Sequence, residues 1–200
     1  MNHLAHALLA APDADVMLGS LIADFLRGAI EPGLPRGVRI GIALHRAVDI
    51  YTDAHPQVAA ARALFQPPYR RYAGIMLDVW FDHLLARAWS RYGSGSLSAF
   101  SHDVQALLAA RANELPPRMS GFARYLRARN LPEAYGDVQV IDAVLHGLSQ
   151  RLTRANPLAQ ALPVVQSHAA ELDRAFAAFF PDLIAHAALE RERLAEHLSP

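Results

Sequence analysis

Four stretches place carboxylates or imidazoles where apolar residues dominate. The densest is Gly74-Ile75-Met76-Leu77-Asp78-Val79-Trp80-Phe81-Asp82-His83-Leu84-Leu85. If it is helical, Asp78 and Asp82 share one face with about 5–6 Å between Cβ atoms. Two like charges on a buried face repel, and a lone buried carboxylate costs several kcal/mol unless a partner or metal compensates it. A divalent cation between them relieves both problems. The alternative is that one Asp pairs with Arg and the other reaches water. In Val38–Asp53, His45 and Asp49 again stand four apart. They either ligate one metal together, or Asp49 orients the imidazole from behind; an ordinary intrahelical hydrogen bond is the plainer reading. Arg46 follows directly and suits a phosphate oxygen. Asp24 sits in the apolar run Leu18–Gly28 with Arg27 three residues on, so a simple ion pair competes with ligation there. At the amino terminus His3 and His6 share a helical face, and His6 lies in the apolar stripe. Taken together, these residues offer the His and carboxylate donors of a Zn, Mn, Fe or Mg site.

The elements that must position these groups are helices. Apolar residues recur at helical spacing, Ala and Leu dominate, and runs of alternating β-branched residues are missing. Breakers divide the chain into segments of roughly 2–11, 15–28, 36–54, 56–65, 70–91, 97–114, 119–129, 132–151 and 157–197, the last interrupted near Pro181. Asp13 or Asp15 is a plausible cap for the second. Neither an internal repeat nor a dividing linker is visible, so residues 1–200 read as one compact all-α domain of about eight to ten helices.

Composition narrows the chemistry. The 200 residues are 52% hydrophobic and 19% charged, which excludes disorder as a whole-chain reading. Without Cys there is no disulfide scaffold, thiolate metal site or Cys nucleophile. All 19 cations are Arg, so a Walker A lysine and Schiff-base chemistry are also excluded. Zero net charge argues against bulk nucleic-acid or membrane binding. The start, Met1–His6, lacks a basic n-region, and no run reaches about 18 apolar residues, so a cytoplasmic protein is expected. H-E-x-x-H, Glu-x-x-His, G-x-S-x-G and G-x-G-x-x-G are absent. The one adjacent His-Asp pair, His102-Asp103, falls on the polar face of an ordinary amphipathic segment and is read as incidental.

The ordered set resembles the acyl carrier protein phosphodiesterase family. It comprises Asn2-His3-Leu4-Ala5-His6, Gly19–Gly28 with Ala23-Asp24-Phe25, His45-Arg46-Ala47-Val48-Asp49 with Thr52-Asp53, and Leu77–His83 followed by Arg87 and Trp89. That family is a divergent relative of the HD phosphatase/phosphodiesterase superfamily. The resemblance implies an HD-domain-like fold, a divalent metal (Mn2+ first, with Mg2+, Fe2+ or Zn2+ as alternatives) and hydrolysis of the 4′-phosphopantetheine–serine phosphodiester of holo-acyl carrier protein. It implies metal ligation by His6, Asp24, His45, Asp78, Asp82 and His83, and catalytic roles for Asp24, His45, Arg46, Asp49, Asp82 and His83. His3 stands where the family is expected to carry an aromatic residue. A metal so held lowers the pKa of bound water and offsets charge on the phosphate. Asp49 and His83 are both candidates to protonate the serine leaving group.

An acidic carrier protein calls for a cationic surface. Arg70-Arg71 and the set Arg118, Arg124, Arg127 and Arg129 qualify, with Arg36 and Arg39 as possible additions. Two rival readings are an HD-like hydrolase of another phosphodiester, nucleotide or phospholipid, and a non-enzymatic helical binding module whose interior acids pair with Arg.

Overall fold

The computed structural model describes residues 3–198, so Asn2 of the terminal motif lies outside it. Among the described residues there are eleven α-helices and no strand. In order they are α1 His3–Ala10, α2 Ala14–Ile22, α3 Arg36–Ala54, α4 Pro56–Ala63, α5 Ala73–Arg87, α6 Trp89–Tyr92, α7 Leu97–Ala110, α8 Pro117–Ala128, α9 Val138–Arg151, α10 Leu162–Ser167 and α11 Ala169–His197. Short 3-10 turns cover Ala23–Phe25, Arg70–Tyr72, Ala112–Glu114, Glu133–Gly136 and Leu158–Gln160. No described helix is long and apolar enough to cross a membrane.

Local signals account for most boundaries. Asp13 caps α2, its side chain accepting from the backbone N–H groups of Asp15 and Val16. Pro56 opens α4 with its preset φ and missing donor, after α3 has stopped at Ala54. Asp137, not Pro132, starts α9 by accepting from Gln139 N–H. The segment expected over 70–91 is divided at Ala88, which separates α5 from α6.

Pro181 was expected to break the last helix, yet α11 runs through it for 29 residues. Proline removes one backbone hydrogen bond and disfavours a helix interior by about 3 kcal/mol. Here Pro181 is on the solvent side, while Phe176, Phe179, Phe180 and Leu183 are buried on the inner face. Burying those side chains, each contributing about 1.5–3 kcal/mol, outweighs the local penalty.

The core is continuous from α1 to α11, with Leu4, Leu18, Leu21, Ile42, Leu44, Phe65, Met76, Phe81, Phe179 and Phe180 fully buried. Its tightest crossing is between α2 and α3. A Cβ at Gly19 would sit 2.1 Å from Val38 O, and one at Gly41 would sit 2.0 Å from Val16 O. Only glycine permits this approach of two backbones. The crossing lies about one turn before both Asp24 and His45, so it brings the end of α2 against the middle of α3. At the other end of the bundle the Arg191 guanidinium donates to Ala10 O and Ala11 O, closing the carboxyl end of α1 with a cation.

Candidate active site

His6 from α1 and His45 from α3 are buried and stack with ring centroids 3.8 Å apart and planes 18° apart. Both turn Nε2 toward Asp49, one turn along α3 from His45. His6 Nε2 lies 3.2 Å from Asp49 Oδ1 and His45 Nε2 lies 3.2 Å from Asp49 Oδ2. Donor atoms of His6, His45 and Asp49 all fall within 4.8 Å of one another. Asp24, in the 3-10 turn after α2, approaches from the other side, with Oδ1 3.1 Å from the same His45 Nε2. Among the ion pairs of the described residues, Asp24 pairs with His45 and not with Arg27.

The electrostatics describe a site short of positive charge. Burial and the neighbouring imidazole push His6 down to about 3, because two stacked cations in a low-dielectric interior repel. Burial also opposes charge on His45, but the carboxylates of Asp24 and Asp49 outweigh it and raise the group to about 9. Burial disfavours charge on Asp49 too, yet the two imidazoles hold it well below the ordinary carboxylate range. The hydrogen bond from His45 likewise lowers Asp24, against the effect of its burial. One imidazole proton cannot satisfy two carboxylates well. Meanwhile His6 Nδ1, His6 Nε2 and His45 Nδ1 are buried without a well-directed hydrogen bond. His6, His45 and Asp49 together could hold a divalent cation in place of the shared proton, with Asp24 beside His45 Nε2. The side chains of Asp24 and Asp49 are 56% and 42% exposed, so such an ion is reachable from outside.

The three α5 residues are not in this cluster. Asp82 is fully buried and accepts from Leu4 N–H at 2.7 Å and Ala5 N–H at 3.2 Å, thereby capping the start of α1. Burial raises its carboxyl to about 7, against the pull of those two donors. His83 Nδ1 donates to Tyr135 O at 2.7 Å and its ring packs on Trp80, tying α5 to the 133–136 turn. Burial lowers the His83 pKa. Asp78 faces a cavity of about 240 Å³ whose wall also includes His3, Asp24, Phe122, Tyr125 and Arg151. Arg46 is half-buried and makes no hydrogen bond or ion pair among the described residues. His102 and Asp103 are exposed on α7, far from any such grouping. Asp49, expected to ligate a metal together with His45, to orient its imidazole or to carry a proton, is the carboxylate on which both imidazoles converge. The aromatic wall from α8 has no signal in the sequence, since nothing local marks Phe122 or Tyr125 as lining the same cavity as Asp24.

The family model described as acyl carrier protein phosphodiesterase matches residues 1–183. The chain belongs to that family. Among curated proteins named acyl carrier protein phosphodiesterase, that of Serratia proteamaculans is 37% identical over 188 residues, covering 94% of this chain and 97% of the relative. That of Photorhabdus laumondii is 36% identical over 182 residues, covering 90% and 92%, and that of Yersinia pestis is 35% identical over 188 residues, covering 94% and 97%. No solved structure matches the chain. Family membership and the cluster agree on the kind of chemistry, because a phosphodiester is opened by nucleophile activation and charge neutralisation.

Proposed function

We propose that the protein hydrolyses the phosphodiester joining 4′-phosphopantetheine to the serine of holo-acyl carrier protein, with His6, His45, Asp49 and Asp24 holding a divalent ion, Mn2+ in our reading. The observation that carries the proposal is the convergence of two stacked, buried imidazoles on a half-exposed carboxylate in a chain of this family. An ion bound there supplies Lewis acidity, lowering the pKa of water and offsetting charge on the phosphate. The protein's own residues supply the rest. Asp24 and Asp49 fix the ring orientation of His45, and Asp82 fixes α1 so that His6 reaches Asp49. In the reaction a water oxygen bonds to phosphorus, the phosphorus–oxygen bond to serine breaks, and the serine oxygen takes up a proton. Of the two residues expected to carry that proton, His83 is committed to Tyr135 O and Asp49 is held ionised by the two imidazoles. Arg46 is proposed to steady a phosphate oxygen.

The carrier-protein partner is supported by the cationic face of α8, where Arg118, Arg124, Arg127 and Arg129 are exposed. Arg129 and Arg151 both stand over the ring of Tyr125, at 5.8 Å and 5.5 Å, so these two cations border the cavity that opens off Asp24, whereas Arg124 and Arg127 line a separate cavity. Arg70 and Arg71 are exposed as well, while Arg36 donates to Leu198 O. Incubating purified protein with holo-acyl carrier protein and Mn2+, then weighing the products, tests the proposal. Loss of the phosphopantetheine mass, abolished by a chelator, is the expected result. Unchanged holo-carrier protein together with cleavage of a nucleotide or phospholipid diester would move the activity to another substrate, and no cleavage at all would leave a binding module.

A further inference from the structure

The cavity beside the cluster is small and largely apolar. Ile75 and Val79 from α5, Phe122 and Tyr125 from α8, and Val144 and Leu148 from α9 form half of its lining, His3, Asp78 and Arg151 add polar groups, and Asp24 joins this wall to His45 of the metal cluster. A carrier-protein diester has two unequal limbs at phosphorus. The serine limb is attached to a folded protein and must stay outside. The other limb is a slender chain of methylenes and two amides ending in a thiol, with no charge of its own. A space of about 240 Å³ admits only the slender limb, and a wall that mixes apolar side chains with polar groups suits its methylenes and amides.

Gly147 gives the cavity its bore. It lies inside α9, where glycine is disfavoured by about 1 kcal/mol relative to alanine. A Cβ built there would meet no atom within 4 Å, so no close packing demands glycine, and the residue borders the cavity. Its missing side chain is open volume. We infer that the cavity lined by Phe122, Tyr125, Val144, Gly147 and Leu148 is the subsite for the pantetheine arm, and that Gly147 keeps it open. This rests on the phosphodiesterase reading above and extends it to the limb that stays on phosphorus.

The test compares wild type with Gly147→Leu and Gly147→Phe, all full-length and loaded with Mn2+. Two diesters are used: holo-acyl carrier protein, and methyl 4-nitrophenyl phosphate, in which a methyl group replaces the arm. Thermal midpoint and Mn2+ affinity are measured alongside. Expected are a midpoint no lower than wild type for Gly147→Leu, unchanged Mn2+ affinity, cleavage of the methyl diester within about twofold, and kcat/KM for holo-carrier protein reduced about tenfold or more. Wild-type kcat/KM on holo-carrier protein in both variants overturns the inference, as does equal loss on both diesters with Mn2+ affinity intact. If wild type itself cleaves neither diester, the phosphodiesterase reading has failed and the arm subsite falls with it. A wild type that cleaves both substrates and is indifferent to Gly147 sinks the subsite alone.

Discussion

The middle of α3 and the middle of α5 look alike as sequence and end up with different work. Each is an apolar helix with acidic and imidazole side chains at helical spacing: His45 and Asp49 in one, Asp78, Asp82 and His83 in the other. In α3 the polar pair meets the ring of His6, so three donors converge, and the exposed end of the Ala23–Phe25 turn brings Asp24 against His45. In α5 the three groups diverge to a helix start, a backbone carbonyl and a cavity wall. Spacing sets which residues share a face. What stands opposite that face decides whether a carboxylate meets another ligand or a pair of backbone donors.

Substitutions in the two helices should therefore separate. His45→Ala or Asp49→Ala removes a donor and leaves its partners facing one another, so turnover should drop about a thousandfold or more while the helical circular dichroism persists. Asp24→Asn keeps the shape and removes a charge beside His45 Nε2. Its expected effect is about 10–100-fold weaker Mn2+ binding, read by calorimetric titration. Asp82→Ala belongs to the other class. It strips the N–H groups of Leu4 and Ala5 of their acceptor, and stability measured by urea denaturation should fall by about 1–3 kcal/mol. Residual folded protein should still bind Mn2+, weakened less than in His45→Ala, because Asp82 positions α1 but supplies no donor to the cluster. Equal loss of metal binding in Asp82→Ala and His45→Ala would erase the distinction.

The Asp82 carboxyl also makes stability depend on pH. The Asp82 carboxyl sits at about 7 when folded and near 4 when unfolded. Between those values the folded chain retains a proton that the unfolded chain has released. Its contribution to stability is thus complete below about pH 4, declines as pH rises toward 7, and is level beyond that. Asp82→Asn should flatten this part of the stability–pH curve. An unchanged slope would mean that Asp82 stays ionised in the fold.

The helical class, the Asp13 cap and the α3 boundaries are legible in the residues because local rules decide them. The continuity of α11 is not, since the gain from Phe179, Phe180 and Leu183 depends on what they pack against. For the site, the i, i+4 pair of His45 and Asp49 is visible at once, and His6 is suggested by its apolar stripe. The fate of Asp82 is hidden, because its partners stand 77 and 78 residues away and are backbone groups of unexceptional residues. His83 is similar, held by a carbonyl 52 residues on. Spacing within one helix carries no information about such partners.

The most direct measurement is an anomalous difference map from crystals grown with Mn2+. The expected result is one strong peak within coordination distance of His6, His45 and Asp49, with Asp24 adjoining. A peak instead among Asp78, Asp82 and His83, or none at the stacked imidazoles under saturating Mn2+, would contradict it.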